Sequence, residues 1–322
     1  MSPARVELAT LPTPLVRAPR LEQALAAGPL YIKRDDLTGF SVAGNKARAL
    51  EFLLGAALAA GSDVFVAAGS PSSNFCAAAA MAAATVGLDC DLLFAGPPPP
   101  VPSVNIELAR AAGARLIFDA VAIREELDAA VLLHADDLRD SGRRPYAVPR
   151  GGATPVGALG YASAAREFSE QCDQVGIDPR TVVVATGSGG TQAGLLAGQV
   201  GYGLPWRVIG ASVSRPAADV ADQILATSRA CAALLGIADP RSDDVDVRDL
   251  RGPGFGVASA EDRVSADLAR KYEGLLLDDY YGAKAMTLFR TVVAAGAPTP
   301  AIFWHTGGIV AALAALLRGA PA

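Results

Sequence analysis

The stretch VAGNKARALEFLL places a single amine, Lys46, directly after a Gly-Asn turn and at the start of an Ala/Leu-rich helical pattern. A helix N-terminus disfavours a cation. Taken alone, Lys46 reads as a solvated surface lysine, the usual fate of that side chain. An amine that gives up its proton there would instead be a nucleophile toward an aldehyde.

Three other stretches bear on that choice. TGSGGTQAG (186–194) follows an apolar strand pattern, and a helix is expected to start near Thr191. Glycines permit close backbone approach, and exposed N–H groups at a helix start suit a phosphate. The stretch lacks the Lys-Ser/Thr of a Walker loop and is not a dinucleotide fingerprint at the head of a βαβ unit. It reads either as a cradle for a non-nucleotide phosphate or as a turn needed only for packing. GSPSSNFC (69–76) puts hydroxyls and an amide at another helix start, where Ser73 or Asn74 would cap the helix or the loop would bind a carboxylate. HTGG (305–308) repeats the arrangement, with Thr306 able to bond a ring nitrogen or to cap. An aldehyde that carries a phosphate is pyridoxal phosphate, whose ring is an electron sink for amino-acid carbanions.

The elements that must position these groups are visible in the patterning. Short β-rich runs alternate with Ala/Leu-rich helical ones: 64–68 then 75–86, 91–94 then 104–112, and 181–185 then 192–200. Runs at 207–211 and 301–304 are likewise followed by helical patterns. This predicts parallel sheets covered by helices on both faces. Three stretches, 64–88, 181–206 and 291–317, carry no charged residue, yet each is interrupted near its middle by a small polar turn. A bilayer span would not place a glycine-rich polar turn at its midpoint. They read as buried strand, polar loop and buried helix, with the three loops facing one cleft beyond the strand ends. GPPPPVP (96–102) reads as a stiff connector.

Composition limits the function classes. The chain has 322 residues, 51% hydrophobic and 19% charged, enough for two domains and against extended disorder. A net charge of −5 argues against nucleic acid or an anionic membrane as a partner. The N-terminal region shows no apolar signal core, so a cytoplasmic protein is expected. Cys76, Cys90, Cys172 and Cys231 lack CxxC spacing and read as buried free thiols. With only His134 and His305, no metal site is expected.

In chain order, PTPLVRAPRLEQAL, LYIKRDDLTGFSVAGNKARALEFLL, GSPSSN, TGSGGTQAG, DDYYGAKAM and FWHTGG resemble the D-cysteine desulfhydrases and 1-aminocyclopropane-1-carboxylate deaminases. These are pyridoxal-phosphate enzymes of the tryptophan-synthase-β fold (fold type II), and the resemblance runs from about Pro12 to Leu317. It implies an α/β protein of two domains, each a mostly parallel twisted sheet with helices on both faces, with the cofactor in the inter-domain cleft. Residues 1–47 and 161–322 would form the larger, cofactor-binding domain, and 48–160 a smaller mobile one. A homodimer is implied as well.

The same resemblance implies roles. Lys46 would form the cofactor's imine and move protons at the substrate α-carbon, with Ser73 and Tyr281 assisting. Asn74 would bond the cofactor's 3'-oxygen. Gly187, Ser188, Gly189, Gly190 and Thr191 would hold the phosphate, and Thr306 would face the pyridine nitrogen. A neutral hydroxyl there keeps the ring unprotonated, which suits β-elimination or replacement. Ser72, Ser73, Phe75, Phe255 and Tyr281 would line the substrate pocket.

Four positions depart from the family pattern. Phe75 stands for a histidine or glutamine, Phe255 for a second tyrosine, Gly282 for a glutamate or threonine, and Ala49 for a second lysine. Lost polar partners change substrate choice more than a lost methylene does. The expected activity is β-elimination from a small amino acid, giving sulfide, pyruvate and ammonia from cysteine. The alternatives are β-replacement, in which a nucleophile other than water is used, or a deaminase with a retuned pocket. A non-catalytic amino-acid or cofactor binder is the alternative from another class.

Overall fold

The computed structural model describes residues 3–319. The chain opens with β1 (Leu15–Arg17), α1 (Pro19–Leu25), β2 (Leu30–Arg34) and α2 (Lys46–Ala59). Next come β3 (Val64–Ala68), α3 (Asn74–Thr85), β4 (Asp89–Ala95), α4 (Val104–Ala111), β5 (Arg115–Val121), α5 (Leu127–Asp140) and β6 (Pro145–Ala147). The remainder is α6 (Pro155–Val175), β7 (Thr181–Thr186), α7 (Gly190–Gly201), β8 (Arg207–Ser212), α8 (Ala217–Leu235) and β9 (Asp246–Asp249). It ends with α9 (Ala260–Glu273), α10 (Gly282–Ala294), β10 (Ala301–His305) and α11 (Ile309–Gly319).

The strands form two sheets. One has six strands in the order β1-β2-β10-β7-β8-β9, the other four in the order β5-β4-β3-β6. Every pairing is parallel except that of β1 with β2, which run antiparallel at the edge of the larger sheet. Strands β3, β7 and β10 are buried along their whole length. Their near-continuous apolar sequences suit central strands covered on both faces.

The three charge-free stretches fold as patterned: β3 leads through GSPSSN into α3, β7 through TGSGG into α7, and β10 through TGG into α11. The connector 96–102 joins β4 to α4. The antiparallel β1, its neighbour β2 and the weakly patterned strands β5, β6 and β9 are additions that periodicity did not single out. Arg, Asp or Pro interrupts the apolar alternation in each of the latter three. All four cysteines are free and buried. Among the described residues no helix is long and apolar enough to cross a membrane.

Local signals explain where the helices begin and end. The Ser73 hydroxyl accepts from Cys76 N (3.2 Å) and caps α3, so the capping reading holds for Ser73, while Asn74 is already helical. Thr154 caps α6, whose first residue is a proline and whose last turn ends at left-handed Gly176.

Candidate active site

A single cleft opens beyond the carboxyl ends of β3, β7 and β10, and the three polar loops all line it. In parallel α/β sheets this end of the strands is where ligands bind. Lys46 lies on its wall as the first residue of α2. The preceding turn needs a glycine: Gly44 has φ +53°, and a Cβ there would lie 2.5 Å from Thr306 O. Asn45 then ties the start of α2 to both neighbouring loops. Its backbone N–H donates to Thr306 O (2.8 Å) and its Nδ2 donates to Thr191 Oγ1 (2.9 Å).

Burial pulls the Lys46 ammonium down to a pKa of about 8. The two lysines buried from solvent, Lys33 and Lys284, differ. Lys33 is salt-bridged to Glu167 and also donates to Thr13 O and Gln171 Oε1. Lys284 donates to Arg251 O and lies 3.5 Å from Asp262. Among the described residues Lys46 is thus the enclosed lysine with no acidic partner, so desolvation acts on it uncompensated. A larger fraction of neutral amine at physiological pH follows.

Across the cleft, Gly187, Ser188, Gly189, Gly190 and Thr191 form the turn from β7 into α7. Gly189 sits at φ +94° as the N-cap, and no side chain caps the helix there. The first amides of α7 therefore face the cleft as donors, with the positive end of the helix behind them. Beside the turn, the Ser188 hydroxyl approaches Gly151 of the loop before α6, while Tyr281 Cε1 approaches Gly187.

The remaining candidates divide by placement. Ser73, Asn74, Phe75, Phe255, Tyr281 and Thr306 line the cleft, but Ser72 does not. The Ser72 hydroxyl pairs with that of Ser70 (3.2 Å), and its carbonyl accepts from Asn105 Nδ2 (2.8 Å). Phe75 runs from the cleft wall into the core, its ring tip against Gly152 and Leu53. Phe255 packs edge-on against Tyr280 and Tyr281, with centroids 5.3 and 5.7 Å apart. Gly282, at the start of α10, puts no side chain beside Asp278.

Several lining residues carry no sequence signal strong enough to single them out. Asp278 is fully buried and accepts from the amides of Tyr280 and Tyr281 (both 2.8 Å) and Gly282 (3.2 Å). It thereby fixes the turn that presents Tyr281. Burial, only partly offset by those amides, raises its pKa to about 6. Arg150 also lines the cleft, held by a bidentate pair with Asp128. The Asp-Asp doublet before YYG was the one available hint of a cap at Asp278. Behind Thr306, burial lowers the His305 pKa to about 4 despite Asp36 at 3.7 Å, so the ring is neutral at pH 7.

Beneath Lys46 lies a buried ionic cluster. Arg48 pairs with both Asp35 (2.9 Å) and Glu167 (2.9 Å), and Lys33 also pairs with Glu167. Asp35 accepts in addition from Tyr161 Oη (2.6 Å), Trp304 Nε1 (2.8 Å) and Thr13 Oγ1 (2.7 Å). Its carboxylate is held far below the usual range, because the Arg48 and Lys33 charges and the Tyr161 hydroxyl outweigh burial. Arg48 shares the first turn of α2 with Lys46, and Trp304 shares β10 with the start of the HTGG loop. The cluster thus fixes two cleft elements to one carboxylate.

A lysine without an acidic partner and uncapped amides for a phosphate, set in one cleft, fit an aldehyde that bears a phosphate. The comparison with known families decides the point: the model of the "pyridoxal-phosphate dependent enzyme" family matches residues 6–307. The chain belongs to that family. The enzyme is 36% identical over 323 residues to D-cysteine desulfhydrase of Salmonella paratyphi B, covering 96% of this chain and 95% of the relative. The protein of that name from Salmonella newport matches to the same extent. Among solved structures, an ACC deaminase homologue superposes with a TM-score of 0.89 at 33% identity, over 98% of this chain and 96% of that one. O-ureido-L-serine synthase shares the fold, with a TM-score of 0.65 at 19% identity over 96% and 93% of the two chains. The enzyme is therefore pyridoxal-phosphate-dependent, as its motifs implied.

Proposed function

We propose that this pyridoxal-phosphate-dependent lyase removes the α-proton and a β-leaving group from a small amino acid, as in conversion of D-cysteine and water to sulfide, pyruvate and ammonia. The observation that carries the reading is Lys46: an enclosed amine, without an acidic partner, opposite the anion-binding turn of α7. Near-full-length likeness to D-cysteine desulfhydrases supports the reaction class. Bound pyridoxal phosphate supplies the electron sink that stabilises negative charge at the α-carbon.

The chain's own groups do the rest. Lys46 would hold the cofactor, and its Nζ would take the substrate's α-proton. The residues 187–191 bind the phosphate through the N-terminal amides of α7. Asn74 would donate to the ring oxygen and Thr306 would face the ring nitrogen. Ser73 would receive the substrate carboxylate, and Tyr281, held by the Asp278 turn, would assist the reaction. Phe255 and Phe75 give the pocket an apolar wall where the family keeps polar groups, which favours a more apolar or bulkier substrate. The cleft lies between two domains, 1–47 with 161–322 and 48–160, in a cytoplasmic homodimer.

The test is a screen of D- and L-amino acids for pyruvate and sulfide. Elimination is expected to yield pyruvate in proportion to substrate consumed. Consumption without pyruvate, dependent on an added nucleophile, would favour β-replacement. Phe255→Tyr with Phe75→His should raise turnover of D-cysteine. No gain would mean these positions do not set specificity.

A further inference from the structure

The first turn of α4 is fastened to the loop that carries Ser73 and Asn74. Ser103 Oγ donates to Pro71 O in a short hydrogen bond, and Asn105 Nδ2 donates both to Ser72 O (2.8 Å) and to Asn74 Oδ1 (2.9 Å). Asn105 is 5% exposed. An amide side chain has two ends that look alike in shape, so its orientation must be argued from its partners. Here the partners decide it. Ser72 O is a backbone carbonyl and can only accept, so Asn105 must turn its NH₂ toward it. The second hydrogen of that NH₂ then requires an acceptor from Asn74, which must present Oδ1. Asn74 lines the cleft, and its NH₂ is the end not taken up by Asn105.

The arrangement has a visible cost. Asn105 Oδ1 is buried and has no hydrogen-bond partner among the described residues. A buried unpaired carbonyl is destabilising, and a leucine or alanine at this position would avoid it. What the asparagine provides is a fixed polarity for Asn74.

We infer that Asn105 is a positioning residue that locks Asn74 with its amide donor toward the cofactor's ring oxygen. The inference rests on the assignment of Asn74 to that oxygen under Proposed function. The lock matters because the ring oxygen carries negative charge. A donor stabilises it, whereas a flipped Asn74 would set a carbonyl against it. Without the donor the ring oxygen would be more basic, and the pH midpoint of the loaded enzyme's visible absorption would rise.

The experiment titrates the apoprotein with pyridoxal phosphate and records two quantities: the dissociation constant and the pH midpoint of the visible absorption. Asn74→Ala should weaken binding about tenfold, the size expected for one hydrogen bond to a charged group, and raise the pH midpoint. Asn105→Ala should shift both in the same direction by less. Asn105→Asp, which offers Asn74 an acceptor, should shift them at least as far as Asn74→Ala. In an Asn74→Ala background, Asn105→Ala should have no further effect on the pH midpoint. A role in packing alone lowers the melting temperature but leaves the midpoint unmoved, or moves it equally in both backgrounds, and either result overturns the inference. If Asn74→Ala itself leaves both quantities at their original values, the Asn74 assignment fails and the inference fails with it. Movement by Asn74→Ala but not by either Asn105 variant overturns the inference alone.

Discussion

The two walls of the cleft are built on different physics. The wall that carries Lys46 and Thr306 is backed by the Lys33–Glu167–Arg48–Asp35 cluster, where full charges meet in the buried interior. The wall that carries Ser73 and Asn74 is backed by an alanine-rich α3 and by neutral hydrogen bonds from Ser103 and Asn105. Buried charges fix geometry firmly, but each partner left alone is very costly. Neutral bonds cost less to break and tolerate small shifts. The contrast fits a division of labour. On the roles proposed above, the lysine anchor and the ring-nitrogen contact sit on the ionic wall, and Ser73 and Asn74 on the neutral one.

The comparison can be broken first at the ionic wall. Arg48→Met leaves Asp35 and Glu167 without their shared guanidinium and is expected to destabilise the fold by about 3–5 kcal/mol. Urea unfolding of the apoprotein measures it, and a loss below about 1 kcal/mol would mean the cluster does not hold this wall.

Acid should bring out the next difference. His305 has a folded pKa of about 4, below its unfolded value. Its unfolded form thus binds more protons between roughly pH 4 and 6.5, and stability falls as pH falls through that window. Asp278 acts oppositely, because its folded pKa is raised to about 6, so its contribution falls as pH rises between roughly 3.8 and 6. In Asp278→Asn the opposing contribution is removed, so the melting temperature should climb more steeply with pH between 4 and 6 than in the unaltered enzyme. An unchanged slope would contradict the opposed titrations.

Lys46 gives a kinetic counterpart. Its lowered pKa means that the rate of cofactor capture by the apoprotein should rise with pH and level off above about 8. Stopped-flow absorbance measures the profile. A rate still rising toward the range of an ordinary lysine would show that the amine is not desolvated. The smallest effect belongs to the neutral wall: Ser103→Ala should cost about 1 kcal/mol, readable as a small shift in the urea midpoint.

Much of this cleft was legible in the sequence, for a physical reason. Central parallel strands must be apolar throughout, and the loops at their carboxyl ends must be polar and small to admit a ligand. That contrast is written locally, in VFVAA–GSPSSN, VVVAT–GSGG and AIFWH–TGG. Lys46 could be singled out because its surroundings were legible too. The residues behind the walls were not, because their partners are distant in the chain. Asp35 meets Trp304 across 269 positions, and Asn105 meets Asn74 across 31. Nothing local distinguishes such an asparagine from a solvated one. The connector at 96–102 read as a spacer, and it does join β4 to α4, the helix whose first turn grips the opposite loop through Ser103 and Asn105. Asp278, too, had only a doublet of acidic residues to mark it.

The central claim is that Lys46 is the covalent anchor. Borohydride reduction of the cofactor-loaded enzyme, followed by peptide mass analysis, tests it most directly. A reduced pyridoxyl-phosphate adduct is expected on the peptide containing Lys46, with neither adduct nor visible absorption band in Lys46→Ala. An adduct on Lys33, Lys271 or Lys284, or an intact band in Lys46→Ala, would contradict it.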